Sequence, residues 1–135
     1  MFLLDTNVVS ELRKPRPHGG VLAWLATQDA AGLYISAITI GELQRGIEMT
    51  RVQDTDKAHF LEIWLAQVQA TGQVLALDAA ICRAWARMMH GRSAALIEDA
   101  FIAATARVHR LTVATRNLRD FSGFEVPLLN PFSQR

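Results

Sequence analysis

Short apolar runs that halt at a helix-capping residue and pass at once into helical spacing recur down this chain, and that alternation restricts the fold more than any other feature. Phe2-Leu3-Leu4 stops at Asp5-Thr6-Asn7, after which Val8, Val9 and Leu12 recur at helical intervals. That helix ends near Lys14-Pro15-Arg16-Pro17, because each proline disfavours helix in the residue before it. Val21, Leu22, Trp24 and Leu25 begin another helix. Leu33 to Ile38 has the β-branched and aromatic content of a strand, and Thr39 is expected to cap the helix carrying Ile40, Leu43 and Ile47. Phe60, Leu61, Trp64, Leu65 and Val68 predict an amphipathic helix from about Lys57 to Ala70, closed by Thr71-Gly72. Val74 to Leu77 reads as a third strand, and Asp78 caps a helix with the stripe Ile81, Trp85, Met88 and Met89. A helix over Ile97 to His109 leads to a strand at Leu111 to Ala114. Glu125 to Leu128 then suits an edge strand, since Pro127 cannot donate to a central ladder. The expectation is an α/β fold in one domain, residues 1–135, with a mostly parallel central sheet of four to five strands and helices on both faces.

Composition narrows the function classes. With 135 residues and half of them apolar, the chain can bury a core without covalent staples. Cys82 is the only cysteine, which excludes a disulfide scaffold and reads as a small core residue. No apolar run is long enough to span a membrane, and Asp5 interrupts the apolar start before a signal-peptide core could form, so a cytoplasmic protein is expected. The net charge of +1 argues against binding nucleic acid by bulk positive charge. Yet 12 of the 14 basic residues are arginine, the side chain that clamps phosphate bidentately. Gathering four of the 13 acids into one metal site would leave nine acids against those 14 cations on the remaining surface. A polyanionic substrate is compatible with that balance.

In open α/β sheets the ligand crevice lies beyond the carboxyl ends of the strands, so polar residues that follow strands are the first candidates. Asp5 is either an N-cap or a ligand. Glu42, one turn into the helix after the second strand, is either a solvated surface residue or part of the same site. Asp99 shares a helical face with Ile102, Ala103 and Ala106, so it heads a buried stripe, where an unpartnered carboxylate is costly and a bound cation would offset the cost. Glu98 points about 100° away and suits a capping or supporting role. After the fourth strand come Thr115, Arg116, Asn117, Arg119 and Asp120, of which Asn117 and Asp120 both offer oxygen ligands. Oxygen-only donors suit Mg²⁺ or Mn²⁺ and not zinc. His18, His59, His90 and His109 have no paired spacing, and Asp54-Thr55-Asp56 lacks the glycine and terminal glutamate of a calcium loop. A Walker loop, a GxSxG elbow and a GxGxxG fingerprint are all absent. Trp24, Trp64 and Trp85 read as core or as part of a subunit contact.

Four segments in order carry a resemblance: Phe2 to Asn7 with Ser10-Glu11-Leu12; Ser36 to Leu43 with Gly46; Ile97 to Ala106; and Thr115-Arg116-Asn117 with Asp120-Phe121. In these the chain is similar to PIN-domain proteins, in particular the VapC/FitB-like toxins of toxin–antitoxin pairs. The resemblance implies a Mg²⁺- or Mn²⁺-dependent endoribonuclease with Asp5, Glu42 and Asp99 as its acidic cluster. The family's fourth position, acidic in many members, falls on Asn117, with Asp120 or Glu98 as substitutes and Thr115 supporting. It further implies a homodimer, a VapB-like antitoxin covering the active groove, and an RNA substrate, with tRNA as one candidate. Arg45, Arg116 and Arg119 are placed by position to contact RNA phosphates, their other reading being solvated surface. Two rival functions are a non-catalytic module that binds RNA or protein, and a nuclease acting on DNA.

Overall fold

The computed structural model describes residues 1–133, so Gln134 and Arg135 of the expected 1–135 domain lie outside the described residues. Five parallel strands form one sheet in the order β3-β2-β1-β4-β5: β1 (Phe2–Leu4), β2 (Leu33–Ser36), β3 (Val74–Leu75), β4 (Thr112–Ala114) and β5 (Leu128–Leu129). The chain builds outward from β1 to β3 on one side, then returns to add β4 and β5 on the other. The order therefore reverses between β1 and β4, the position where doubly wound sheets open their crevice.

Seven α-helices cover the two faces: α1 (Thr6–Glu11), α2 (Gly19–Ala26), α3 (Ala37–Arg51), α4 (Thr55–Thr71), α5 (Ala79–Met89), α6 (Ile97–His109) and α7 (Leu118–Phe121). Successive strand residues point to opposite sides, and each face has its own core. Leu3 and Val113 join Ile81, Ile102, Phe121 and Phe124 under α5, α6 and α7. Leu4 and Ala114 join Val8, Val21, Leu43, Ile47 and Leu61 under α1 to α4. The parallel sheet with helices on both faces agrees with the sequence reading. So does the α6 interval, whose Ala100, Ala103, Ala104 and Ala106 are fully buried and let the helix approach the sheet closely.

Several expectations are corrected. β2 ends at Ser36, and Ser36, not Thr39, caps α3: its Oγ accepts the Ile38 amide at 3.2 Å. Thr39 is instead buried inside the first turn, its hydroxyl 3.0 Å from that of Thr6. β3 is two residues long and stops before Ala76 and Leu77, as suits an outer strand. β5 begins after Pro127, which contributes only its carbonyl, accepting from the Val113 amide at 2.9 Å. Cys82 is exposed on α5 and is not a core residue, and Phe60 on α4 is 63% exposed, so the buried stripe of that helix is Ala58, Leu61 and Leu65. Trp24 is buried edge-on to Phe2, 5.0 Å between ring centroids, while Trp64 and Trp85 are only partly covered.

Candidate active site at the carboxyl ends of β1 and β4

Asp5 directly follows β1 and Thr115 directly follows β4, so the central strand pairing brings together residues far apart in sequence. The Thr115 hydroxyl donates to Asp5 Oδ2 at 2.7 Å, and both side chains are buried. Asp5 also accepts the Thr6 amide on Oδ1 at 2.7 Å and the Asn7 side-chain amide on Oδ2 at 3.2 Å. It is thus the N-cap of α1 and, through Thr115, tied to the end of β4. An ionised carboxylate has about four lone-pair positions, so these three donors fix its orientation and leave roughly one open. Burial raises the Asp5 pKa, the hydrogen bonds from Thr115 and Thr6 work against that shift, and the charge of Asp120 adds to it.

Glu42 stands on α3 with Oε1 accepting the Thr6 hydroxyl at 2.8 Å. Its pKa is raised chiefly by burial and further by the charges of Asp5 and Glu98, while the Thr6 bond and Arg45 oppose the rise. Asp99, in the first turn of α6, is affected most. Burial first, then the charges of Asp5, Asp120, Glu42 and Glu98, push its pKa to about 7. Its position at the positive end of α6 favours ionisation and does not offset the crowding.

The remaining predicted residues divide between site and surroundings. Thr115 donates to Asp5 and accepts the Asn117 amide at 2.9 Å. Asn117 itself is exposed and precedes α7 without a side-chain capping bond. Asp120, also exposed, is the residue of that turn whose charge acts on Asp5 and Asp99. Glu98 makes no cap, since Leu96 is the N-cap of α6 and that end has no side-chain cap bond. It lies 3.7 Å from Arg45, in an exposed pair at the mouth of the site. Arg116 sets its guanidinium over the Phe132 ring at 3.7 Å, while Arg119 is exposed on α7. A cleft of about 280 Å³ opens beside Glu42, with Ser10, Arg13, Lys57 and Trp64 among its walls.

Sequence reasoning assigned no role to Thr6 or Asn7. Thr6 joins Asp5 to Glu42, one through its amide and the other through its hydroxyl. Asn7 joins Asp5 to the strand-four turn, its Oδ1 accepting the Arg116 amide at 3.3 Å. The signal was their position just after Asp5, yet only the packing of α3 and β4 supplied the partners. Arg13 and Lys57 were missed as cleft residues for the same reason.

Five carboxylates therefore crowd a single sheet edge, Asp99 feeling the charges of Asp5, Glu42, Glu98 and Asp120, while Arg45 pairs with Glu98 at 3.7 Å. Their donor atoms are all oxygen, which fits a hard divalent cation. Among the described residues no three His, Cys, Asp or Glu side chains close around one point as a finished cage.

The chain is similar to known proteins along nearly its whole length. The sequence pattern of the family described as PIN domain matches residues 2–125. The chain is 36% identical over 140 residues to Toxin FitB of Neisseria gonorrhoeae, spanning 98% of this chain and 99% of the relative. It is 36% identical over 138 residues to VapC ribonuclease Y4jK of Sinorhizobium fredii, spanning 98% of each. Among solved structures, FitAcB from Neisseria gonorrhoeae superimposes with a TM-score of 0.84 at 36% identity, covering 98% of this chain and 99% of that one. With its parallel sheet, its carboxylates at the β1/β4 edge and a family pattern running through nearly all its described residues, the chain belongs to the PIN domain family.

Proposed function

We propose that this protein is a divalent-metal-dependent endoribonuclease and the toxin of a toxin–antitoxin pair. The observation that carries the reading is the electrostatic state of the β1/β4 edge: Asp99 is driven to about 7 by burial and by the charges of Asp5, Asp120, Glu42 and Glu98. A fold maintains such crowding where a cation or a reaction uses it. The full-length relatedness to proteins named as a toxin and a VapC ribonuclease supports the same activity and a VapB-like antitoxin as partner.

Asp5 and Asp99 would hold Mg²⁺ or Mn²⁺, with Glu42 and Asp120 completing the donor set and Asn117 at its margin. When bound, the cation supplies Lewis-acid charge against the negative charge that develops on a scissile phosphate, and it acidifies water. Asp5, immobilised by Thr6, Asn7 and Thr115, keeps its open lone pair aimed at one place without losing side-chain entropy on binding. Glu42, steadied at Oε1 by Thr6, leaves Oε2 to orient and deprotonate the attacking water. Arg13 and Lys57 in the neighbouring cleft, with Arg45 at the mouth, are placed to hold flanking phosphates. The same reading extends to a homodimer, checked by light scattering of the purified chain, and to action in the cytoplasm on an RNA such as tRNA.

The test offers labelled tRNA, single-stranded RNA and DNA of the same sequence to wild type and Asp5→Asn, each with Mg²⁺, Mn²⁺ or EDTA. Cleavage of RNA by wild type alone, and only with metal, is the expected result. Folded wild type that binds RNA but never cuts it replaces this reading with a non-catalytic module, and preferential scission of DNA replaces it with a DNase.

A further inference from the structure

A cleft of about 260 Å³ opens between the end of α5, the loop after it, the end of α6 and the turn at 122–125. Arg87, His90, Arg92 and Arg107 line it, and Glu125 is its one acidic wall. None of these arginines is within ion-pair distance of a carboxylate among the described residues, unlike Lys14, Arg45 and Arg51. Two of them are nevertheless fixed in place. Arg92 Nη2 donates to the Gly123 carbonyl at 2.6 Å, and its guanidinium lies 4.8 Å from the centre of the Phe124 ring. Arg107 Nη2 donates to the Phe124 carbonyl and reaches that of Glu125 at 3.5 Å.

Carbonyls and a ring orient a guanidinium without cancelling its charge. Each arginine has five N–H groups in a planar fork, so most donors of Arg92 and Arg107 remain for a ligand whose binding need not order them. Arg87 and His90 open to the same cleft, and among the described residues neither side chain makes a hydrogen bond to the turn. Three arginines against one glutamate, arranged as preset forks, match the paired oxygens of a phosphodiester. Arg107 lies eight residues beyond Asp99 on α6, or about 12 Å along the helix axis, so one nucleic-acid strand can engage both places.

We propose that this cleft is a second phosphate-binding site, which grips the backbone of the RNA substrate at a distance from the cut. The proposal rests on the ribonuclease reading for the identity of its polyanion, and its test reads binding separately from cleavage. Fluorescence anisotropy with a labelled single-stranded RNA in EDTA, over a series of salt concentrations, compares wild type with Arg87→Gln, Arg87→Lys and His90→Gln. Arg87→Gln is expected to weaken binding about three- to fivefold at 0.15 M salt and to reduce the log–log salt slope by about 0.7, one phosphate contact on a single strand. Arg87→Lys should retain the slope, because charge and not shape sets it. Cleavage of a dinucleotide, too short to reach the cleft, should be unchanged by Arg87→Gln. An unaltered affinity and slope in Arg87→Gln, or no RNA binding by wild type, overturns the proposal. So does a preference for duplex DNA. If RNA binds through Arg87 and is never cut, the ribonuclease reading fails while this site stands.

Discussion

Glu48 and Asp99 are both helical carboxylates, on α3 and α6, yet their surroundings push them in opposite directions. Glu48 receives hydrogen bonds from Arg51 and Gln44, and the Arg51 bond first of all holds its pKa below the ordinary value. Glu11 behaves likewise, lowered chiefly by its hydrogen bond from Lys14 and helped by the His18 amide. At the β1/β4 edge the acids are desolvated and face each other, and Asp5, Glu42 and Asp99 are all raised. Of the first kind, buried Glu11 braces α1, while Glu48 sits in a solvated pair on α3. Those of the second make the fold less stable than it could be, a cost that a bound cation would offset on the proposed reading.

The comparison can be broken most directly by removing the crowded charges. Asp5→Asn and Asp99→Asn should each lower metal-dependent cleavage more than about 100-fold, beyond what the loss of a supporting residue costs at metal sites. Asp99→Asn should do so with no loss of unfolding midpoint in cation-free buffer, and a clear loss would mean that the carboxylate is a structural brace like Glu11. Asp120→Asn should weaken Mn²⁺ binding about tenfold by calorimetry, whereas Asn117→Ala leaves it unchanged. The reverse result would return the fourth position to Asn117.

Thr115→Val keeps the side-chain shape and deletes the bond to buried Asp5, so urea denaturation should show a loss of about 1–3 kcal/mol. The pH dependence follows from Asp99, whose folded-state pKa stands near 7 against an ordinary 3.8. The folded state holds this proton more tightly, so the contribution to stability is full below 3.8 and is lost as pH rises through about 7. In cation-free buffer the unfolding midpoint should therefore fall across that interval, less steeply in Asp99→Asn, and added Mn²⁺ should restore it at the alkaline end. At the other extreme, Glu48→Gln should change neither cleavage nor the urea midpoint measurably, as expected of a solvated pair.

Legibility in the sequence differed by kind of feature. The position and type of long helices were readable because one buried face imposes a period on many residues at once, as in Ile97 to His109. Short elements depended on neighbours: β3 stops at Leu75 because its partner β2 ends at Ser36, and Cys82 faces water because of the rotation of α5. Phe60 shows the same limit, since apolar chemistry alone does not say which side of α4 meets the core.

For the site, the chain order already determined that Asp5, Glu42, Asp99 and the 115–120 turn follow strands or begin helices, because strand ends and helix starts are local properties. Only the tertiary structure decided that β4 lies beside β1, which seats Thr115 on Asp5 across 110 positions of sequence. It also brought the charge of Asp120 to bear on Asp5 and Asp99, and it aimed Thr6 at Glu42. The reason is physical: which residues carry a charge is written locally, whereas desolvation and Coulomb repulsion depend on distances that exist only after the sheet has closed.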